Sequence, residues 1–356
     1  MQVMSSLVVL GLCFLFLVVK PDRAYGSSRG SLGRNNGAAA PAVDGICAIS
    51  VTPYGYKCQE HEVQTDDGYI LSMQRIPEGR AGGSMGGQKK QPVLIQHGIF
   101  ADGFTWLMNS PEQNLPMILA DNGFDVWIAN TRGTQFSRKH VFLDPARPEY
   151  WDWSWDELVT YDLPSVFGFV FNHTGQKIHY IGHSLGTLIG LTSFSEGHQA
   201  EQLKSATFLC PIAYVSHLKT KLVRLAAKAF VGDHEPQSTA TKNLVHLAQS
   251  VRDGVIQKYD YGEEGNRKHY GEAKPPVYNI SNIPRDLPIF ISHGGLDPLS
   301  DVEDVGLLLE LLKQHDETKL SVQFLKDYAH LDFIMGVNAK DLVYNQIVQF
   351  FSKYQQ

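Results

Sequence analysis

The amino-acid sequence predicts an α/β fold in which a mostly parallel central sheet carries helices on both faces. Two observations support this prediction: short apolar runs recur along the chain, and segments with helical character separate them. Such runs are typical of strands buried on both faces and joined by crossover helices. The 356 residues, 43% hydrophobic and 19% charged, suffice for one large domain with an insertion. The predicted strands are PVLIQHG, FDVWIAN, KIHYIGH, SATFLCPIA, LPIFISHGG and LSVQFLKDYAH.

Residues 1–26 are predicted to form a secretory signal peptide. Residues 7–19 are all apolar or small, and residues 24–26 (Ala-Tyr-Gly) have the small-x-small form of a signal-peptidase site. The apolar stretch is too short for a comfortable membrane span, so a retained signal anchor is the less favoured interpretation and no transmembrane span is expected in the mature chain. Residues 27–42, rich in Gly, Ser, Asn and Ala, are expected to be a flexible leader.

Two glycosylation sequons, at Asn172 and Asn279, agree with passage through the secretory pathway. The expected destination is the extracellular space or a vacuolar, lysosome-like compartment. A formal net charge of -6 argues against nucleic acid as a partner, because such a partner requires a basic face.

Cysteine usage fits an oxidising compartment. Of four cysteines, Cys13 leaves with the predicted signal peptide. Cys47 and Cys58 are then expected to form a local disulfide, whereas Cys210 remains unpaired and is interpreted as a buried strand residue.

The remaining chain divides into a core interrupted by one insertion. Residues 61–76 alternate apolar and polar positions on either side of Asp-Asp-Gly and predict a β-hairpin. Residues 214–275 contain no convincing buried strand and are predicted to form a shortened helical cap over the carboxyl edge of the sheet, where open α/β sheets bind ligands. The two parts of the core are therefore predicted to be residues 43–213 and 276–356.

A serine between two glycines marks the boundary between the third predicted strand and the segment that follows. Gly-His-Ser-Leu-Gly, residues 182–186, has the pattern of a nucleophile elbow, in which Ser184 would occupy a strained strand-to-helix turn. An ordinary Gly-rich turn is the alternative, and the pattern alone does not exclude it.

A serine nucleophile needs a base, and that base needs an acid to hold its tautomer. In the α/β-hydrolase fold the order along the chain is serine, acid, histidine, with the last two after late strands. Asp297 and His330 meet that order and placement behind Ser184. The alternatives are that Asp297 caps the next helix and that His330 is one of 14 histidines without a catalytic role.

An oxyanion hole would use one backbone N–H from the residue after the serine and one from the loop after an early strand. Leu185 is the candidate for the first donor. Ile99 is the candidate for the second, with Phe100 next.

His179 and His183 stand four residues apart, as in helical zinc motifs. On a strand this spacing separates the two side chains by roughly 13 Å, and no acidic third ligand lies nearby in the sequence, so no metal site is predicted. His183 is instead expected to support the elbow.

Many ordered motifs in this chain, from about residue 54 onward, resemble the acid lipase family of gastric and lysosomal lipases and sterol esterases, including its plant triacylglycerol lipase branch. They are GYKCQEHEVQTDDGYILSMQRIP, LIQHGIFADGFTWL, GFDVWIANTRGTQFSRKH, YWDWSWDELVTYDLP, YIGHSLGT, KYDYG, NRKHYGEAKPPVYN, GGLDPLSDVEDVGLLLELL and YAHLDFIMG.

The resemblance implies the α/β-hydrolase fold, with Ser184, Asp297 and His330 as catalytic residues and Ile99 and Leu185 as oxyanion donors. It implies a secreted hydrolase of lipid acyl esters, such as triacylglycerol, that works at a lipid–water interface without a metal or organic cofactor. The chain departs from the family in its short cap, from which we expect a site more open to water.

Three other functions compete with this interpretation. An acyltransferase would use the same triad, and a catalytically impaired lipid-binding protein would follow if the cap deletion disables the site. An epoxide hydrolase or dehalogenase is disfavoured because those enzymes need a carboxylate where Ser184 stands.

Overall fold

The computed structural model describes residues 45–82, 89–214 and 237–354. The predicted signal peptide and leader lie outside these residues, and so does the part of the predicted cap at 215–236. Across the three described ranges, no helix combines the length and apolarity needed to span a bilayer.

Nine strands in the described residues form one mixed sheet. The order is β1-β2-β4-β3-β6-β7-β8-β9, with β5 paired to β2. Pairs β1–β2 and β2–β4 are antiparallel, and all pairs from β4 through β9 along this order are parallel. The bounds are β1 Gln59–Gln64, β2 Tyr69–Ile76, β3 Pro92–Gln96, β4 Asp125–Ala129, β5 Lys139–His140, β6 Ile178–His183, β7 Leu203–Leu209, β8 Ile289–Gly294 and β9 Leu320–Leu325.

The predicted fold class is confirmed. Each of the six predicted apolar runs contains one of the parallel strands, and the predicted hairpin is the β1–β2 pair. Strands β3, β4, β6 and β8 are buried on both faces, which explains why their sequences are largely apolar and do not alternate regularly between apolar and polar residues.

Helices cover both faces of the sheet. Successive residues of one strand therefore pack into two different hydrophobic clusters, one on each face. In β3, Leu94 packs into one cluster, whereas Val93 and Ile95 pack into the other. The helices are α1 Ile46–Ser50, α2 Leu115–Asp121, α3 Trp155–Glu157, α4 Leu163–Thr174, α5 Leu185–Ser195, α6 Thr241–Asp253, α7 Gly262–Tyr270, α8 Val302–Leu311, α9 Asp332–Met335 and α10 Asn345–Ser352. Shorter 3-10 and π turns span Thr52–Tyr54, Gly103–Leu107, Pro148–Trp151, Leu158–Asp162, Ile280–Asn282 and Lys340–Tyr344.

A disulfide joins Cys47 in α1 to Cys58, just before β1, with the two Cα atoms 5.5 Å apart. Cys210 is a buried free thiol directly after β7.

A buried arginine ties the β1–β2 turn to the loop after β4. The guanidinium of Arg132 is fully buried, binds the carboxylates of Asp67 and Asp162 at 2.6 and 2.7 Å, and lies 3.8 Å from the ring centre of Tyr69. Removing one member of such a buried network leaves uncompensated charge in a poorly solvated place.

Replacing Arg132 with methionine is therefore expected to lower the free energy of unfolding by about 3–5 kcal/mol, since two carboxylates then lose their cation. Urea denaturation followed by circular dichroism measures this change. Arg80→Met is the matched control: Arg80 pairs with Glu112 at the surface, so its replacement is expected to cost less than about 1 kcal/mol. Equal decreases in the free energy of unfolding for the two variants would show that the buried network around Arg132 contributes no more than a surface ion pair.

The described part of the predicted cap, residues 237–275, contains helices α6 and α7 and is attached to the core through Asp156. The Asp156 carboxylate accepts hydrogen bonds from the Tyr259 backbone N–H at 2.8 Å and the Tyr278 hydroxyl at 2.7 Å. Burial raises the pKa of Asp156 to about 7, although both hydrogen bonds oppose the rise.

A carboxyl group whose pKa is higher in the folded than in the unfolded state stabilises the fold most at low pH, and that stabilisation is lost as pH rises through the folded value. We expect Asp156→Asn to unfold at a higher temperature than the parent protein above about pH 7, and at a similar temperature near pH 4, because the amide has no charge to bury. Thermal unfolding across this pH range measures the difference. Asp152→Asn, at an exposed carboxylate paired with Lys242, is expected to show no such crossover.

Candidate active site

Ser184 occupies a sharp turn between β6 and α5. Its backbone has φ 54° and ψ -119°, a left-handed region that non-glycine residues seldom adopt. The turn is held by the Ser184 N–H, which donates to the Leu209 carbonyl at 3.1 Å. The Ser184 carbonyl accepts from the hydroxyl of Thr187 at 2.6 Å. This geometry is that of a nucleophile elbow rather than an ordinary Gly-rich turn.

The two glycines of the motif are needed because the chain passes itself closely there. A Cβ on Gly182 would lie 2.7 Å from the carbonyl group of Gly186, and a Cβ on Gly186 would lie 2.7 Å from the Gln96 carbonyl oxygen. Both distances are shorter than real Cβ contacts, so any side chain would displace the elbow.

Asp297 and His330 form a buried pair at the same edge of the sheet. His330 Nδ1 lies 3.0 and 2.8 Å from the two carboxylate oxygens of Asp297. Burial by itself would raise the pKa of Asp297, but the charge and hydrogen bond of His330 and the N–H groups of Ser300 and Leu299 together lower it to about 2. The next helix is capped by Asp301 instead, whose side chain accepts from the Glu303 N–H. Asp297 is therefore not the cap of α8.

The nucleophile candidate and the base candidate are brought together through the residue before the serine. The ring centres of His183 and His330 lie 4.7 Å apart, and His183 directly precedes Ser184. His330 Nε2 is buried and has no hydrogen-bond partner in the described ranges, so the Ser184 hydroxyl does not donate to it in this conformation. Catalytic hydrogen bonds often shorten only when substrate binds.

The loop after β3 passes directly over Ser184. A Cβ built on Gly98 would lie 3.4 Å from Ser184 Oγ. Burial lowers the pKa of His97 to about 4, so the ring is neutral. Because the Thr131 N–H donates to His97 Nε2 at 3.1 Å, Nδ1 carries the proton and donates to the Gly98 carbonyl at 2.7 Å.

This hydrogen bond sets the direction of the Ile99 N–H. In a trans peptide the C=O and N–H point in opposite directions, so the Ile99 N–H points away from His97. Neither this N–H nor that of Leu185 donates to another group in the described residues. The two backbone N–H groups predicted as oxyanion donors are therefore not used in other hydrogen bonds among the described residues.

Three non-glycine residues with positive φ surround the site. Phe100, Ser184 and Cys210 have φ values of 60°, 54° and 51°, and they follow the adjacent strands β3, β6 and β7. Backbone strain of this kind typically gathers where a fold must hold functional groups in place. The sequence predicts backbone strain only at Ser184, because neither Phe100 nor Cys210 is flanked by a motif that indicates a positive φ.

The site is closed rather than open to water. Ser184 and His330 are 6% and 7% exposed. The Gln237 N–H donates to the Phe100 carbonyl at 2.8 Å, and the adjoining cavity measures only about 10 Å³. The expectation that a short cap leaves the site exposed is therefore wrong, because the segment from Gln237 covers the loop after β3. The cavity lining includes Gly98, Ile99, Phe100, Leu185, Trp153, Ser238, Thr239 and Asn243.

Two side chains have roles that the sequence did not assign. Thr187 links the elbow to the next strand end, because its hydroxyl donates to the Ser184 carbonyl and accepts from the Ile212 N–H at 2.7 Å. Trp106 is fully buried against the ring of His183 and does not line this cavity.

Comparison with known proteins places this chain in a family. A family model described as a partial alpha/beta-hydrolase lipase region matches residues 48–110, and one described as the alpha/beta hydrolase fold matches residues 91–232. Triacylglycerol lipase 2 of Arabidopsis thaliana is 52% identical, with 92% of this chain and 92% of that protein covered. The chain belongs to the acid lipase family. Gastric triacylglycerol lipase of Homo sapiens, at 33% identity over 92% of this chain and 96% of that protein, is a more distant relative.

This acid lipase is thereby placed among carboxylic ester hydrolases, as predicted. The alignment with the Arabidopsis relative extends over 386 residues, more than the 356 of this chain, so that relative contains residues without a counterpart here. Among solved structures, an esterase from Pyrococcus furiosus superposes with a TM-score of 0.55 at 16% identity, covering 92% of this chain and all of that one. A likeness at that identity supports the fold alone.

Proposed function

We propose that this chain is a secreted serine ester hydrolase that cleaves acyl esters of lipids, triacylglycerol or related molecules, through Ser184, His330 and Asp297. The observation that carries the proposal is the buried His330–Asp297 pair, whose free Nε2 lies at the sheet edge that presents Ser184 on a strained elbow. The names of the Arabidopsis and human relatives support the substrate class.

In the first half-reaction, Ser184 Oγ attacks the acyl carbonyl carbon while His330 Nε2 accepts the hydroxyl proton. Asp297, ionised at working pH, stabilises the resulting imidazolium through Nδ1. The oxyanion accepts hydrogen bonds from the N–H groups of Ile99 and Leu185. The tetrahedral intermediate then expels the alcohol, which takes the proton from His330, and leaves an acyl-serine.

Water completes the cycle in the second half-reaction. His330 removes a proton from the attacking water, the same two N–H groups stabilise the second oxyanion, and the fatty acid leaves as Ser184 regains its proton. No step calls for a metal or an organic cofactor.

Entry of a long acyl chain requires the segment that begins at Gln237 to move. A cavity of about 10 Å³ is far below the several hundred cubic ångströms that ligand pockets usually offer. Contact with a lipid–water interface is the expected trigger for this movement.

Entry into the secretory pathway is part of the proposal. The apolar N-terminal stretch, the Cys47–Cys58 disulfide and the exposed side chains of Asn172 and Asn279 support it. Expression in a eukaryotic secretory host, followed by N-terminal sequencing and glycosidase treatment, tests this part. An N-terminus that still begins at residue 1, together with unchanged gel mobility after glycosidase treatment, would contradict it.

Covalent labelling tests the chemistry. A fluorophosphonate probe is expected to label Ser184 stoichiometrically, as read by peptide mass spectrometry, and a purified sample is expected to release fatty acid from emulsified triacylglycerol. Adding an alcohol acceptor separates hydrolysis from acyl transfer, because a transferase would form a new ester in place of free acid. Tight lipid binding without labelling would instead indicate a non-catalytic binding protein.

A further inference from the structure

The backbone carbonyl of His330 accepts hydrogen bonds from two buried side chains on neighbouring strand ends. His183 Nε2 lies 3.0 Å from this oxygen, and Cys210 Sγ lies 3.5 Å from it. His183 ends β6, and Cys210 directly follows β7. We propose that His183 and Cys210 form a two-donor clamp that positions the main chain of His330 relative to Ser184. This inference rests on the proposed function, because the clamp matters only if His330 is the base.

Both side chains are in the donor state that a clamp requires. Burial, together with the neighbouring His330, lowers the pKa of His183 to about 3, so the ring is neutral and Nε2 must carry its proton to bond a carbonyl. Burial, together with the charge of the nearby Asp297 carboxylate and a hydrogen bond to it, raises the pKa of the Cys210 thiol, which therefore stays protonated. The thiol is thus a weak hydrogen-bond donor and not a second nucleophile.

The clamp adds a constraint on the backbone of His330 to the constraint that Asp297 places on its ring. Asp297 fixes the imidazole through Nδ1, but a ring held at one atom can still move with its backbone. Hydrogen bonds to the His330 carbonyl fix that backbone to the strand that carries Ser184, because His183 is the residue before the serine. Displacement of a catalytic group by about 1 Å can cost as much as 100-fold in rate.

The backbone at Cys210 supports a positioning role. Its φ of 51° is unfavourable for any residue with a Cβ, and this conformation directs a buried thiol toward His330. In the described ranges, His183, Cys210 and His330 are the single group of three potential metal ligands, with ligand atoms within 4.8 Å of one another. Two of the three already converge on a carbonyl oxygen, which favours a clamp over a metal site.

Paired substitutions distinguish donation from packing. His183→Leu and Cys210→Ala remove a donor, whereas His183→Gln and Cys210→Ser keep one, and alanine and serine both keep the Cβ at residue 210. We expect each donor-removing variant to lower kcat for a soluble short-chain ester on the order of 10-fold or more at unchanged KM. The donor-keeping variants are expected to recover most of the rate.

His179→Leu is the matched control. His179 is buried on the same strand and its Nδ1 lies 2.7 Å from the Ser205 hydroxyl, away from His330. It is expected to lower thermal stability without lowering kcat per folded molecule. The rate constant for labelling by a small phosphonate gives a second readout, since labelling also requires a correctly placed base.

The outcomes separate the clamp from the proposed function. If donor-removing variants keep the parent kcat and labelling rate, or if His179→Leu loses as much rate as His183→Leu, the clamp is overturned. If Ser184→Ala hydrolyses esters as fast as the parent protein, the proposed function fails and the clamp fails with it. An inactive Ser184→Ala together with fully active clamp variants overturns the clamp alone.

Discussion

Replacing Ser184 with alanine is expected to lower kcat for ester hydrolysis by roughly four to six orders of magnitude, with KM and the fold retained. In the proposed mechanism the Ser184 hydroxyl oxygen forms the acyl-enzyme, and alanine has no nucleophilic atom to take its place. Alanine keeps the Cβ, so the strain at φ 54° stays the same in the variant. Steady-state hydrolysis of a soluble short-chain ester measures the loss, and fluorophosphonate labelling at residue 184 is expected to disappear.

Ser193→Ala provides the matched control for this variant. Ser193 is buried on α5, the helix that follows Ser184, and its hydroxyl donates to the Gln199 side chain at 2.7 Å. Its loss is expected to reduce stability by about 1 kcal/mol and to leave kcat unchanged. Substantial hydrolysis by Ser184→Ala, with parent-like KM, would show that a different residue performs the chemistry.

Much of the fold could be predicted from the sequence because the relevant signals are local. Strands β3, β4, β6 and β8 are buried on both faces, so each is a short, largely apolar stretch of sequence. Ser184 is likewise marked by its immediate neighbours, since Gly182 and Gly186 stand where any Cβ would collide with backbone. Asp297 and His330 were predicted from the order of catalytic residues along the chain in the α/β-hydrolase fold, and the structure pairs their side chains.

The contacts that the sequence did not reveal join residues far apart in the chain. Cys210 and the His330 carbonyl are 120 positions apart, and no motif surrounds the cysteine to indicate that its thiol points there. The contact between the cap segment and the loop after β3 also joins residues far apart in the chain, so the sequence did not reveal it. The Gln237 N–H donates to the Phe100 carbonyl across the fold, and the residues that follow line the small cavity beside a site that the length of the cap alone suggested would be open.

Replacing Asp297 with asparagine is expected to lower kcat by about 10⁴-fold, because the amide imposes the wrong histidine tautomer. One carboxylate oxygen of Asp297 accepts from the N–H groups of Leu299 and Ser300, and the other lies 2.8 Å from His330 Nδ1. In the variant the amide oxygen keeps the two backbone donors, so the NH₂ group faces Nδ1. His330 then holds its proton on Nε2 and cannot accept one from Ser184. Asp301→Asn, a helix cap that asparagine serves equally well, is expected to retain full activity.

The same substitution has a consequence for stability that can be checked without substrate. The pKa of Asp297 is lowered to about 2, so its ionised form stabilises the fold above about pH 4, and this stabilisation is lost as pH falls toward 2. A shift of this size corresponds to roughly 2–3 kcal/mol. The parent protein is therefore expected to lose thermal stability more steeply than Asp297→Asn between about pH 4 and pH 2, because the amide has no proton to gain. Parallel stability curves for the two proteins over this range would mean that the His330–Asp297 pair does not carry the charge assigned to it.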